Sequence, residues 1–183
     1  MAGLVYRPAE DSYLLLRHVK RLAKGLVLDM GTGSGIQAAG AASKSQVERV
    51  VAVDIDAEAI READMGLRRA GLRGKVDLII SDLFSGLRPL GFNWIVFNPP
   101  YLPSEGMANE PSWAGGPRGG ETIERFLSEA STYLKPEGGV LLVYSTLTEI
   151  KPKAFRGYEV EVLERLPLFF ERLLCVLLRP RPS

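Results

Sequence analysis

Asn98, Pro99, Pro100 and Tyr101 are the residues with the clearest chemical content in this 183-residue chain. They follow an apolar run, Trp94-Ile95-Val96-Phe97, that reads as a buried strand. The first proline stops that strand, because it has no amide hydrogen for the ladder. Two prolines in succession fix the backbone, so the Asn98 side chain and the carbonyl between Asn98 and Pro99 face one space. Tyr101 adds an aromatic face. Two acceptors beside a ring suit a planar nitrogen carrying two hydrogens: both hydrogens are held and the lone pair stays free. The plainer alternative is a proline-rich turn closing a strand.

Three earlier strand ends carry acids. Leu26-Val27-Leu28-Asp29 runs into the turn Met30-Gly31-Thr32-Gly33-Ser34-Gly35, and a small-residue helix follows from about Ile36 to Ser43. Glycines let a backbone approach a ligand closely. The dinucleotide fingerprint is broken by Ile36 at its third glycine position, and no Gly-Lys-Ser/Thr follows for nucleotide phosphates. A carboxylate at Asp29, facing the turn, would repel phosphate and attract a cationic amine. The second strand, Arg49 to Asp56, places Asp54 where an acid accepts from a ribose diol. The third, Val76-Asp77-Leu78-Ile79-Ile80, leads to Asp82, placed to accept from an adenine amino group, and Leu83, placed to pack on the ring. Ligands in open α/β sheets bind at the carboxyl ends of strands, so four such endings meet at one crevice.

The elements that must hold these residues follow from periodicity. Pro8 starts a helix, with Glu10 and Asp11 in its first turn. Tyr13, Leu16, Val19 and Leu22, with Leu15 alongside, form its apolar stripe, and His18 lies off it on the surface. A polar cluster from Tyr6 to Ser12 is either an ordinary helix entry or the cap of a ligand pocket. A helix from Ala57 to Ala70 closes at Gly71. After Tyr101 a long loop to Arg118 reads as a substrate-facing lid. A helix from Glu121 to Leu134 buries Ile123, Phe126, Leu127 and Ala130; strand five is Val140 to Tyr144. A short weak helix near Leu147 to Phe155 and two strands, Glu159 to Leu163 and Phe169 to Leu178, complete the chain. The expected architecture is one α/β domain over residues 1–183: a seven-stranded, mostly parallel sheet with helices on both faces and a C-terminal antiparallel hairpin.

Composition narrows the function. Lys plus Arg number 23 against 22 Asp plus Glu, which gives no basic excess for a nucleic-acid face apart from the tail Arg179-Pro180-Arg181-Pro182. A single histidine and a single cysteine leave no zinc-ligand spacing, so no metal site is expected, and Cys175 reads as packing in a reducing compartment. No run of about eighteen apolar residues implies a membrane helix. The N-terminus lacks the basic-then-apolar pattern of a secretory signal, and a cytoplasmic location is expected.

At this point the chain resembles class I S-adenosylmethionine-dependent methyltransferases and, within them, the HemK family of protein-glutamine methyltransferases. The resemblance covers nearly the whole chain. It rests on Val5-Tyr6-Arg7-Pro8-Ala9-Glu10-Asp11-Ser12, the turn from Asp29 to Gly35, Asn98-Pro99-Pro100-Tyr101 and Trp113-Ala114-Gly115-Gly116. These are similar to the short archaeal and eukaryotic branch, which lacks the N-terminal helical domain of the bacterial one. The resemblance implies S-adenosylmethionine held by Asp29, Gly31 and Gly33 at its amino-acid end, by Asp54 and Ile55 at the ribose, and by Asp82 and Leu83 at adenine. Ser12 and Asn98 also reach the cofactor. Asn98, the Pro99 carbonyl and Tyr101 match groups that hold the target, the Gln of a Gly-Gly-Gln loop in a class I peptide release factor. A small zinc-binding activator subunit, as paired with eukaryotic relatives, would meet the third strand at the sheet edge. Arg7, where that branch often has an acid, and Arg118, offset from its usual place, depart from the pattern. Alternative readings are an adenine-amino methyltransferase of DNA or RNA, a protein-lysine methyltransferase, and a non-catalytic cofactor-binding scaffold.

Overall fold

The computed structural model describes residues 7–104 and 115–181. Its elements are α1 (Glu10–Leu22), β1 (Gly25–Met30), α2 (Ile36–Ala42), β2 (Val47–Asp54), α3 (Ala57–Arg69), β3 (Val76–Ile80), β4 (Phe92–Phe97), α4 (Glu121–Ala130), β5 (Leu134–Ser145), β6 (Tyr158–Pro167) and β7 (Arg172–Pro180). The strands form one sheet in the order β3-β2-β1-β4-β5-β7-β6. β1 to β5 run parallel, while β7 is antiparallel to both β5 and β6. The chain winds outward from β1 to β3, then crosses back to lay β4 against the other side of β1. That reversal leaves a crevice beyond the carboxyl ends of β1 and β4.

Central parallel strands are covered on both faces, which explains their continuous apolar runs. The side-chain period of two sorts them between two cores. Val27, Val50, Ala52, Trp94, Val96, Leu141 and Val143 face α1, α2 and Leu67 of α3. Leu28, Met30, Val51, Val53, Ile95, Phe97, Val140 and Leu142 face α4, where Phe126 stacks on Phe84 and lies tilted against Phe97. Asn98 continues the parity of Trp94 and Val96, and Asp29 that of Val27, so both site residues turn toward the α1–α2 side.

The fold class and the C-terminal antiparallel hairpin agree with expectation, and several local readings need correction. The buried face of α1 is Asp11, Ser12, Leu14, Leu15, His18 and Val19, while Tyr13 is 52% exposed. The stripe is therefore centred on Leu14 and Leu15, one position away from the expected one. His18 is not at the surface: it is 5% exposed, with Nε2 2.8 Å from Glu164 Oε2 and Nδ1 3.3 Å from the Arg21 guanidinium. α4 stops at Ala130 and a 3-10 turn, Ser131–Tyr133, leads into β5, because Pro136 disfavours helix in the residue before it. The expected helix near Leu147 to Phe155 is only a 3-10 turn, Pro152–Phe155. Strand seven begins at Arg172, so Phe169 and Phe170 lie in the turn before it. Cys175 packs in the core as expected, and burial pushes its thiol up to about 12. Among the described residues no helix is long and apolar enough to cross a membrane, and no cluster of potential metal ligands occurs.

The α4 core depends on its aromatic stack. Phe126 is fully buried, with ring centroids 5.4 Å from Phe84 and 4.6 Å from Phe97. Phe126→Ala is expected to cost about 3–5 kcal/mol, read from the midpoint of urea unfolding; a loss under about 1 kcal/mol would show that this core repacks freely.

Candidate functional site

The N-terminal end of α1 reaches the crevice, and its polar residues organise it. Asp11 and Ser12 are each 3% exposed. Asn98 Nδ2 donates to Asp11 Oδ2 at 3.1 Å and to Ser12 Oγ at 3.4 Å, and the Tyr101 hydroxyl donates to the same Asp11 oxygen at 3.1 Å. A carboxylate oxygen only accepts, so it selects the donor end of the Asn98 amide and turns the acceptor end away. That acceptor, Asn98 Oδ1, is buried with no hydrogen-bond partner among the described residues. A buried polar atom without a partner costs free energy, and such atoms are rare. The Tyr101 carbonyl is held in turn by Thr148 Oγ1 at 2.8 Å, which ties this corner to the chain after β5.

The glycine turn forms the crevice floor. Gly31 and Gly33 adopt φ of +61° and +52°, and a Cβ built on Gly33 would meet nothing within 4 Å. The turn therefore opens onto free space at Gly33, lies close to Phe97 at Gly31, and needs glycine for its backbone at both. Asp29, 1% exposed, accepts from Thr32 Oγ1 at 2.6 Å and from the Ala38 amide at 2.9 Å, both on Oδ2. Burial is the main cause that pushes its carboxyl up to about 7, against the two hydrogen bonds and with a smaller contribution from Asp54. Asp54 Oδ2 accepts from the Gly33 amide at 2.8 Å and Oδ1 from the Asp56 amide at 3.0 Å, and burial raises its pKa as well. Ile55, just beyond it, is 68% exposed.

Asp82 lies at the outer wall and pairs with Arg125 at 2.8 Å. Both side chains are largely exposed, so this pair holds weakly. Leu83 is held at φ +48°, the left-handed region that non-glycine residues rarely adopt. Ser81 Oγ braces that turn, donating to the Leu83 carbonyl at 3.1 Å and accepting from the Gly86 amide at 2.8 Å.

Asp29, Asp54, Asp82 and Asn98 thus lie at or just beyond the carboxyl ends of β1 to β4, with hydrogen bonds joining Ser12 to Asn98 and Gly33 to Asp54. Asp11 was assigned to the first turn of its helix and, within the polar cluster from Tyr6 to Ser12, to a helix entry or a pocket cap, but to no contact with Asn98; taking Leu14 and Leu15 as the stripe would have put it on the buried face. Gln37 was also missed. Its Nε2 donates to the Ser12 carbonyl at 2.8 Å, and its Oε1 is buried without a partner among the described residues. Arg118 is bound to Glu121 at 2.9 Å and to Glu124 at 3.0 Å, and pairing with Arg118 is the main cause that holds the Glu124 carboxyl down at about 2. It anchors the loop to α4. The loop's two ends are joined by Gly115 N to Leu102 O at 2.9 Å and Ser104 N to Gly116 O at 3.0 Å. Tyr6, Trp113 and the middle of the expected lid lie outside the described residues.

Comparison with known proteins gives the family of the chain. Residues 8–164 match the family model described as methyltransferase small domain. A protein of Methanocaldococcus jannaschii named as a protein N5-glutamine methyltransferase is 34% identical, over 94% of this chain and 90% of its own length. The release factor glutamine methyltransferase of Koribacter versatilis is 36% identical over 77% of this chain; the chain spans 54% of that bacterial protein's length. Among solved structures, the E. cuniculi Mtq2–Trm112 complex, described as responsible for methylation of the eRF1 translation termination factor, superposes with a TM-score of 0.74. The alignment covers 99% of this chain and 100% of that one at 24% identity, which is a likeness of fold.

The buried Asp29 carboxyl generates a pH prediction. Its folded pKa of about 7 lies above the ordinary 3.8. Below the unfolded pKa both states hold the proton; above it the unfolded chain ionises while the folded site keeps its proton. Stability therefore falls as pH rises through this window and levels off above about 7, by up to roughly 4 kcal/mol in total. Asp29→Asn retains an acceptor for Thr32 and Ala38 and lacks this slope. Urea unfolding of both proteins at about pH 4.5 and about pH 7.5 is expected to show the variant gaining on the wild type at the higher pH. Parallel behaviour would place the charge cost elsewhere.

Proposed function

Because the chain belongs to the methyltransferase small domain family and, with its HemK-type relatives, is an S-adenosylmethionine-dependent N-methyltransferase, we propose that it methylates a side-chain amide nitrogen: that of the Gln in the Gly-Gly-Gln loop of a class I peptide release factor. The observation that carries this reading is the buried, unpartnered Asn98 Oδ1. A primary amide nitrogen brings two hydrogens. Asn98 Oδ1 accepts one, the backbone carbonyl beside Pro99 accepts the other, and the Tyr101 ring covers one side of the amide.

S-adenosylmethionine, when bound, supplies a methyl group on a positively charged sulfur. The residues of this chain would hold it along the crevice. Asp29 would meet the cationic amino group, and the open space at Gly33 would take the amino-acid chain beside Gly31. Asp54 accepts from the ribose hydroxyls with Ile55 beside them. Asp82, released from its exposed pairing with Arg125, accepts from the adenine amino group while Leu83 packs on the ring. Ser12 and Asn98 line the passage between cofactor and acceptor. The donor set fits: a buried acid with a raised pKa gains most from a cation beside it.

An amide nitrogen is a weak nucleophile because its lone pair is delocalised. Two acceptors on its hydrogens raise its electron density and align the lone pair with the methyl group. Positioning of this kind supplies roughly 7–11 kcal/mol in the best intramolecular cases. Asn98 Oδ1 and the carbonyl beside Pro99 would hold the two amide hydrogens while the amide lone pair takes the methyl group, and one of those hydrogens would pass to solvent as a proton once the nitrogen is alkylated. No strong base is needed before attack. A hydroxyl substrate would leave one of the two acceptors unpaired, which disfavours it.

We also assign β3 to a partner. It is the edge strand, pairing β2 and no other strand among the described residues, and Ile80 at its end is 59% exposed. A solved neighbour of the same fold carries a second subunit. An apolar edge of this kind accepts strand addition, here from a small zinc-binding activator.

The test is transfer of labelled methyl to purified class I release factor, beside the same factor with its loop Gln changed to Ala. Label on the normal factor alone is expected. Asn98→Ala is expected to lower the rate by about 10²–10³-fold while cofactor binding is largely kept. Label on neither factor with cofactor still bound would point to the missing activator, tested by co-expression. Label on both, or on nucleic acid instead, would refute the substrate assignment.

A further inference from the structure

The turn between β6 and β7 carries two phenylalanines in water. Phe169 and Phe170 are 92% and 84% exposed, with ring centroids 4.6 Å apart in an edge-to-face arrangement. Leu168 N donates to the Glu171 carbonyl at 2.8 Å, so the two rings sit at the centre of a tight turn. Such turns usually take Gly, Asn or Asp at these positions, and nothing in the backbone asks for an aromatic side chain.

The place of this turn gives the rings a role. β7 is antiparallel to β5, with Leu173 opposite Ser145, so the turn lies beyond the carboxyl end of β5, on the same rim as Asn98 and Tyr101. Short bonds join the two. Thr146 N donates to the Arg172 carbonyl at 2.9 Å, Arg172 N donates to Thr146 Oγ1 at 3.0 Å, and Thr148 Oγ1 donates to the Tyr101 carbonyl at 2.8 Å. Leu147, between these threonines, is 48% exposed. Leu168 packs on the same core as Tyr101. Glu171 Oε2, next to Phe170, is buried without a hydrogen-bond partner among the described residues. The acceptor half of the rim thus presents an apolar edge, built on the backbone that carries the acceptor corner.

We propose that Phe169 and Phe170, with Leu147, form a docking edge for the folded protein that carries the acceptor glutamine. This inference rests on the function proposed above. The acceptor corner grips one amide, and glycines beside that amide offer no side chains to hold. Affinity for a whole protein must then come from surface beyond the loop. Exposed aromatics at the rim of a site are the residue type that supplies it.

The experiment compares wild type with the double variant Phe169→Ser, Phe170→Ser on two substrates: intact release factor, and a short peptide with the same Gly-Gly-Gln loop. The expected result is a rise in KM for the intact factor of about tenfold or more, with kcat, peptide kinetics and the unfolding midpoint unchanged. Equal KM for the intact factor in both enzymes would overturn the docking role. So would an equal loss on factor and peptide, which would make the turn a support for the site. A dimer in sedimentation equilibrium that the variant lacks would overturn it too, as a contact between copies. Failure of the wild type to methylate the factor even when co-expressed with the small activator subunit would remove the substrate assignment, and the docking edge with it. Methylation by wild type and variant alike would remove the docking edge alone.

Discussion

The Asp11 carboxylate holds the site together. One of its oxygens accepts from both Asn98 Nδ2 and the Tyr101 hydroxyl, each at 3.1 Å. A side-chain amide has a donor end and an acceptor end of nearly the same shape, so packing alone does not orient it. An acceptor-only neighbour does. With the nitrogen end of Asn98 committed to Asp11, the oxygen end is buried and without a partner among the described residues. An acceptor left in that position costs free energy, and under the proposed function an incoming amide hydrogen would offset it.

Sheet topology makes that contact possible. Reversal of strand order between β1 and β4 brings the Asp29–Gly35 turn beside Asn98, and strand parity directs both Asp29 and Asn98 toward the side occupied by α1 and α2. The buried face of α1 is apolar from Leu14 to Val19 and becomes polar at Asp11 and Ser12, where the helix overhangs the crevice. The lower part of one helix face packs the core while its upper turn orients the acceptor residue. Beside it, Asp29 and Asp54 are both raised in pKa chiefly by burial. This half of the crevice would be relieved by a cation, and the other half by a hydrogen-bond donor.

Much of this arrangement was legible in the residues, for identifiable reasons. Strands buried on both faces leave apolar runs that end abruptly, so the acids at 29, 54 and 82 and the Asn-Pro-Pro-Tyr corner could be assigned to one rim. β3 was expected at Val76 to Ile80 and is found there, since its run is bounded on both sides. The face of α1 was misjudged because Tyr13, Leu14, Leu15 and Leu16 are consecutive apolar residues, and four in a row do not reveal which pair is buried. That single ambiguity hid both the burial of His18 against Glu164 and the role of Asp11. The β6–β7 turn was hidden for a related reason. Phe169 and Phe170 have strand-forming side chains, and only the pairing of β6 with β7 shows that they lie outside the ladder.

The account stands most directly on the claim that Asp11 orients Asn98. Asp11→Asn replaces an acceptor-only group by one that can face Asn98 with either end, at nearly unchanged volume. Single-turnover methyl transfer to release factor by this variant, measured beside its affinity for S-adenosylmethionine, decides the matter. The predicted result is a fall in the transfer rate of about a hundredfold, with cofactor affinity within about twofold of wild type. A transfer rate close to wild type would contradict the account, because Asn98 would then be oriented by something other than Asp11.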